Sequence, residues 1–388
     1  MRGDLALLGG LCVTPDREVA DSLVVCRDGV VLYVGPREVG DVPEGAALLD
    51  VTGCVVSPGF IDNHVHGGDG ADITLGGKEA VLQTARHLLR YGTTGFLPTT
   101  VSASPDTLLF AVEGCRLAAQ DTAPAARILG VHVEGPYINL KRKGAQPTSA
   151  IREPDAEEVA RLQHAAEGLI RVMTLAPEIP GCLELTDTLS RQGITVSLGH
   201  SEATYDETLE AMYAGARQVT HLFNAMAGVN HRNPSIALAA LCEPGLRAEV
   251  IADGVHLAPE TVRLAFQAKG PESMLLITDG MAAVGMPDGE YELGDNKVTV
   301  QGDLCTLADG TIASSMLTMN RAVVNACRFA GASLCEAVRM ASLTPAEAAG
   351  AADRKGSLEA GKDADIAVWR PDGTVVATVL GGEVVWRH

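Results

Sequence analysis

The sequence is short of positive charge. Among its 388 residues, 30 Lys and Arg face 49 Asp and Glu, for a formal net charge of -19, which argues against a nucleic-acid surface or an anionic membrane face. A phosphorylated ligand would need a local cationic pocket. The chain also lacks any apolar run near the ~20 residues of a membrane span, and its opening M-R-G-D-L-A-L-L-G-G is broken by Asp4 and paired glycines. A soluble cytoplasmic protein is the expectation, with neither nucleic acid nor membrane as partner. No C-x-x-C pair is present: the nine cysteines are scattered and read as reduced small hydrophobes, none in a recognisable nucleophile setting. Solenoid repeats, low-complexity tracts and flexible linkers are missing too.

What is present is a hydrophobic fraction of 46% over a length that suits a large barrel with a smaller domain attached. Short β-rich runs at Leu5–Leu8, Ser22–Cys26, Val30–Val34 and Ala47–Val51 resemble those at Ile366–Trp369, Thr374–Leu380 and Val384–Trp386. They predict one small β-sandwich domain made from both ends, residues 1–53 and 358–388. Between them, residues 54–357 alternate strands with amphipathic helices, the pattern of a parallel sheet with crossover helices. Eight strands are predicted, at Val55–Ile61, Gly95–Thr99, Ile128–Val133, Val172–Ala176, Thr195–Leu198, Gln218–Leu222, Ala248–Ala252 and Met274–Thr278. The fold class is therefore α/β, a (β/α)8 barrel of the TIM-like kind, whose site lies at the C-terminal strand ends. Thr204 with Glu207, Ser333 with Glu336 and Thr344 with Glu347 fit capping boxes. Residues 284–312, rich in Gly and Asp, read as a β-hairpin insertion after the eighth strand.

The chain is organised around S-P-G-F-I-D-N-H-V-H-G-G, residues 57–68. The side-chain period of two puts His64 and His66 on one face of the first strand, where two neutral imidazoles suit a divalent ion. An isolated His-x-His is more often an ordinary polar pair. Here the other strand ends carry matching chemistry: Glu134 in H-V-E-G-P-Y, His200 in S-L-G-H-S, His221 in T-H-L-F-N-A-M and Asp279 in I-T-D-G-M. Two histidines and a carboxylate, Glu134, His200 and His221, form the ligand set of a catalytic zinc or similar ion, and His64 with His66 would complete a second. Such an ion lowers the pKa of a bound water to about 7. Asp279 is then the natural general base and acid. His132 alternates onto the face of Glu134 and takes a packing or supporting role.

These motifs, with D-G-V-H, S-M-L-T-M and the tail G-S-L-E-A-G-K-D-A-D-I, resemble the amidohydrolase superfamily, and within it the N-acetylglucosamine-6-phosphate deacetylases, over nearly the whole chain. The resemblance implies metal binding by Glu134, His200 and His221 and an acid-base role for Asp279. It also implies sugar and phosphate contacts from Ala145, Gln146, Asn224, Ala225, Arg232, His256, Ile312, Ala313 and Ser314. Its further implications are one or two divalent ions per subunit, zinc first, an amino-sugar phosphate substrate, and a homodimer in which one subunit's Arg reaches the partner's site. Two positions depart from the pattern. Gln146 stands where family members commonly carry a carbonyl-polarising His, and Ser314 where Gly is usual. Gln donates a neutral hydrogen bond but cannot be cationic, so a second ion at His64 and His66 would take over that polarising role. The expected reaction is hydrolysis of the acetamide of N-acetylglucosamine 6-phosphate by metal-bound hydroxide. The alternatives are the galactosamine epimer or another N-acetylated amino-sugar phosphate, and a non-catalytic relative that binds a sugar phosphate. A cyclic-amide hydrolase of the same superfamily is disfavoured, because the fourth strand, V-M-T-L-A-P-E, lacks the lysine such enzymes carboxylate.

Overall fold

The computed structural model describes residues 4–388, so residues 1–3 of the expected small domain lie outside the described residues. Eight parallel strands form the barrel: β1 (Phe60–Val65), β2 (Thr93–Thr100), β3 (Val131–Glu134), β4 (Ile170–Leu175), β5 (Thr195–Leu198), β6 (Gln218–Val219), β7 (Arg247–Val250) and β8 (Met274–Leu276). Each pairs with the next in sequence order. A parallel bridge between Val65 and Gly280 closes the ring, with Asp279 N–H donating to His64 O at 2.8 Å and His66 N–H to Gly280 O at 2.7 Å. The closing hydrogen bonds thus run through the chemistry-bearing residues themselves.

The expected first strand, Val55–Ile61, is divided. Val55–Pro58 pairs with Leu11–Val13 and with Ile366–Trp369 in the sandwich, and only from Phe60 does the chain enter the barrel. Gly59 marks the joint: a Cβ there would lie 2.1 Å from Thr94 Oγ1 and 2.3 Å from its Cγ2, closer than non-bonded atoms approach, so only glycine lets the two strands meet. The sandwich has a four-stranded sheet (Val30–Pro36, Ser22–Arg27, Leu5–Leu8, Ala47–Asp50) and a six-stranded one that joins both chain ends. Leu7, Val24, Val56, Ile366, Val368 and Val379 fill the space between the sheets. Short alternating strands hid two of its members, Leu11–Val13 and Glu18–Val19, from the sequence reading.

The sandwich is fastened to the barrel by Trp369. Its indole packs 6.2 Å from the Phe60 ring, and Nε1–H donates to Ser57 Oγ at 3.1 Å. Both rings are buried, worth about 1.5–3 kcal/mol for a side chain such as Phe.

Helices form where the caps predict, with one exception. Thr204 with Glu207 and Ser333 with Glu336 make reciprocal boxes. Thr344 does not cap, because its buried hydroxyl donates to Pro271 O at 2.7 Å and the helix starts at Leu343. The expected hairpin is a four-stranded antiparallel meander, Gly289–Leu293, Asn296–Gln301, Leu304–Thr306 and Ile312–Ser315. Its last strand returns to the barrel mouth, where Ser315 N–H donates to Asp279 O at 3.0 Å.

Candidate metal centre and substrate cavity

Six side chains converge where β1, β3, β5, β6 and β8 end. Glu134 is the last residue of β3, and its Oε1 lies 3.2 Å from His200 Nε2 and 3.1 Å from His221 Nε2. On the other side, His66 Nε2 lies 3.1 Å from Asp279 Oδ1 and 3.2 Å from His64 Nε2. Glu134 links the two groups, with Oε1 3.4 Å from His64 Nε2 and Oε2 3.5 Å from His66 Nε2. Each trio, Glu134–His200–His221 and His64–His66–Asp279, has its ligand atoms within 4.8 Å of one another. Asp279, expected as the acid-base residue, therefore also stands as a third donor beside the first-strand pair.

The histidines are oriented as ligands. Nδ1 of His200 faces Arg142 O at 2.8 Å and Nδ1 of His66 faces Thr99 O at 3.2 Å. A carbonyl only accepts, so each Nδ1 carries the proton and each Nε2 directs a lone pair at the centre. This convergence of Nε2 atoms and carboxylates fits a divalent metal ion. A third trio, His64, His132 and Glu249, also has its ligand atoms within 4.8 Å of one another, but both ring nitrogens of His132 are already engaged elsewhere. His132 uses Nδ1 on Asn63 O at 3.2 Å and Nε2 on Thr174 Oγ1 at 2.8 Å, which makes it part of the frame.

Electrostatics hold the two acids in the ligand state. Burial alone would raise the Glu134 carboxyl, but the neighbouring imidazoles of His64, His200 and His221 hold it well below the usual carboxylate range. Asp279 is likewise raised by burial and lowered more by His64, His66 and His221. His64 moves the other way: burial opposes its charge, yet Glu134, Glu249 and Asp279 lift it well above the ordinary imidazole value, so an ion at the floor would displace the Nε2 proton that these carboxylates otherwise hold. The acids are thus carboxylates, as ion binding requires. His132, buried beside the His64 charge, is pushed down to about 4.

Backbone strain gathers at the same place. His200, His221, Phe223, Ala225 and Asp279 have φ of 49°, 29°, 75°, 47° and 51°, a left-handed conformation that costs non-glycine residues about 1–3 kcal/mol each. Held only by surrounding contacts, these turns re-aim strand-end side chains across the mouth.

Above the floor opens a cavity of about 510 Å³ whose walls include Ala145, His200, His221, Asn224, Ala225, His256, Asp279, Ile312 and Ala313. Gln146 lies deeper, and both ends of its amide are engaged: Nε2–H donates to Glu134 Oε2 at 2.6 Å, and Oε1 accepts Ser102 N–H at 2.6 Å. In this arrangement Gln146 holds the carboxylate rather than facing the open cavity. Ser314 is buried behind the wall, where its hydroxyl donates to Asp279 O, a bond glycine could not make. Arg232 sits on an exposed loop off the cavity walls.

Sequence reasoning missed two features. Lys141, Arg142 and Lys143 line the rim, and a run of three cations in so acidic a chain was the available signal. Glu249, in β7, accepts from His64 Nδ1 at 3.0 Å; the mark was a lone carboxylate inside the apolar run A-E-V-I-A.

Comparison with known proteins gives consistent matches. The family model described as "Amidohydrolase family" matches residues 55–385. An N-acetylglucosamine-6-phosphate deacetylase of Bacillus subtilis (strain 168) is 37% identical over 96% of this chain and 95% of its own. An N-acetylgalactosamine-6-phosphate deacetylase of Escherichia coli O157:H7 is also 37% identical, over 91% and 92%. Among solved structures, a mutant N-acetyl-D-glucosamine-6-phosphate deacetylase from Mycobacterium smegmatis in complex with N-acetyl-D-glucosamine-6-phosphate superposes with a TM-score of 0.93 at 34% identity, covering 99% of this chain and 100% of that one.

Proposed function

The chain belongs to the amidohydrolase family, and from that premise we propose that it hydrolyses the acetamide of N-acetylglucosamine 6-phosphate to glucosamine 6-phosphate and acetate. The observation that carries the reading is one floor holding Glu134, four imidazoles and Asp279 under a cavity of about 510 Å³. Glu134, His200 and His221 would hold one divalent ion, zinc first, and His64, His66 and Asp279 a second. Bound there, such an ion supplies Lewis-acid polarisation and hydroxide-strength nucleophilicity at neutral pH. Asp279, kept as a carboxylate by its imidazole neighbours, accepts the proton of the attacking water at Oδ1. It returns that proton to the departing sugar amine as the C–N bond breaks, so acetate and a free amine leave. Gln146 holds Glu134 in register through its amide.

The substrate phosphate meets cations at the rim. His256, raised above the usual imidazole value because Asp253 and Asp279 outweigh its burial, and the Lys141–Lys143 segment belong to the chain's own cavity wall. Arg232, exposed and off that wall, suits reaching the phosphate in a second copy, which is the basis for proposing a homodimer. No helix among the described residues is long and apolar enough to cross a membrane, in keeping with a cytoplasmic location.

The test is acetate release by the zinc-loaded protein from N-acetylglucosamine 6-phosphate, its galactosamine epimer and unphosphorylated N-acetylglucosamine. Turnover of the first is expected to exceed the others. Preference for the epimer, the reading favoured by the Escherichia coli relative, would replace the sugar but keep the reaction. Absence of acetate from all three would overturn the proposal.

A further inference from the structure

His64 differs from His66 and His200 in what holds its Nδ1. His66 and His200 donate Nδ1–H to main-chain carbonyls of Thr99 and Arg142, whereas His64 faces the carboxylate of Glu249, at 3.0 Å from Oε2. Glu249 is completely buried. A carboxylate removed from water is strongly disfavoured unless donors surround it, and its remaining capacity is filled by Gln218 Nε2–H on Oε1 at 2.6 Å and His221 N–H on Oε2 at 3.2 Å. None of these donors is a lysine or arginine. Besides Gln218, its partners are the side chain of one candidate ligand and the main chain of another.

We propose that Glu249 is a positioning residue for the second ion. It accepts the Nδ1 proton of His64, fixes the tautomer that presents Nε2 to the floor, and donates electron density that a carbonyl cannot match. Its contact with His221 is to the main-chain N–H at 3.2 Å and not to that ring. The inference rests on the reading of two ion sites. It assigns the weaker site, built on His64 and His66, a dependence on Glu249 that the site of Glu134, His200 and His221 largely lacks.

Two measurements test it. Zinc titration of the ion-free protein, followed by calorimetry and elemental analysis, is expected to give a second ion bound about 10–100-fold more weakly in Glu249→Gln than in wild type. The first ion should be held nearly unchanged, and Glu249→Asp should recover part of the loss. Unchanged affinity for both ions, or equal weakening of both, would overturn the assignment, the latter because it would mark a purely structural carboxylate. The second measurement needs neither the second ion nor a folded variant. In ¹⁵N-histidine-labelled wild-type protein, His64 is expected to carry a slowly exchanging Nδ1 proton shifted downfield by its carboxylate partner. A wild type that binds a single ion but shows this proton would refute the two-ion reading while leaving the His64–Glu249 contact standing; absence of the Nδ1 proton would refute the contact itself.

Discussion

The floor and the rim of the cavity are neighbours built by different means. Floor residues such as Glu134 and His64 belong to strands or sit directly at their ends and are almost fully buried, and His64, His66 and Asp279 also share the hydrogen bonds that close the barrel. Rim residues lie off the barrel strands: Lys141–Lys143 after β3 and Ile312 in the meander. Strands fix a side chain's direction by their two-residue period, while loops take direction from whatever they pack against. The floor should therefore govern turnover on any acetamido sugar, and the rim should govern only the discrimination of phosphate.

The sharpest way to break this division is Asp279→Asn. Turnover should fall by about 10²–10⁴-fold or more on phosphorylated and unphosphorylated sugars alike, measured as acetate release with the ion of Glu134, His200 and His221 still bound. Near-normal rates would remove Asp279 from the chemistry. Next come His64→Ala and His66→Ala, expected to take the protein from two ions to about one per chain by elemental analysis, because each removes one of the imidazoles that define the second site. Unchanged metal content in both would reduce the pair to ordinary polar residues.

Phosphate contact from a second copy is probed by Arg232→Ala. Its cost should be about 1.5–3 kcal/mol in binding of the phosphorylated sugar, the range for hydrogen bonds to charged groups, with little change for the unphosphorylated one. Equal losses of kcat/KM on both would mean that Arg232 does not read phosphate. The smallest effect should be a pH dependence from His256. Its folded pKa is raised, so the imidazolium is complete below the ordinary value of about 6.5 and is lost as pH climbs through the raised one. KM for the phosphorylated sugar should accordingly rise by a few-fold on the alkaline side, and His256→Asn should flatten that rise. A KM that worsens toward acid pH instead would reverse the assigned role.

Legibility followed the same division. All six floor residues were readable, because a ligand-type side chain that ends an apolar run has one natural place in a parallel barrel, its mouth. The rim was read by resemblance. Of the residues it implied, Asn224, Ala225, His256, Ile312 and Ala313 line the cavity, Arg232 lies away from it, and the cationic run Lys141–Lys143 went unread. The third expected capping box failed for a related reason: Thr344 has the right spacing from Glu347, but a tertiary carbonyl, that of Pro271, competes for its hydroxyl.

By itself, then, the sequence determined the alternation of strands and helices, the union of both chain ends in one β domain, and the residue types that can hold an ion. Each depends on local periodicity or on chemistry carried by a single side chain. Only the tertiary structure decided which groups meet. Gly59 splits a continuous apolar run between two sheets because Thr94 leaves no room for a Cβ. Gln146 turns its amide onto Glu134. Glu249 accepts a hydrogen bond from a histidine 185 positions away. Such contacts are set by barrel closure, which brings distant strand ends within hydrogen-bond reach, and no spacing along the chain encodes that distance.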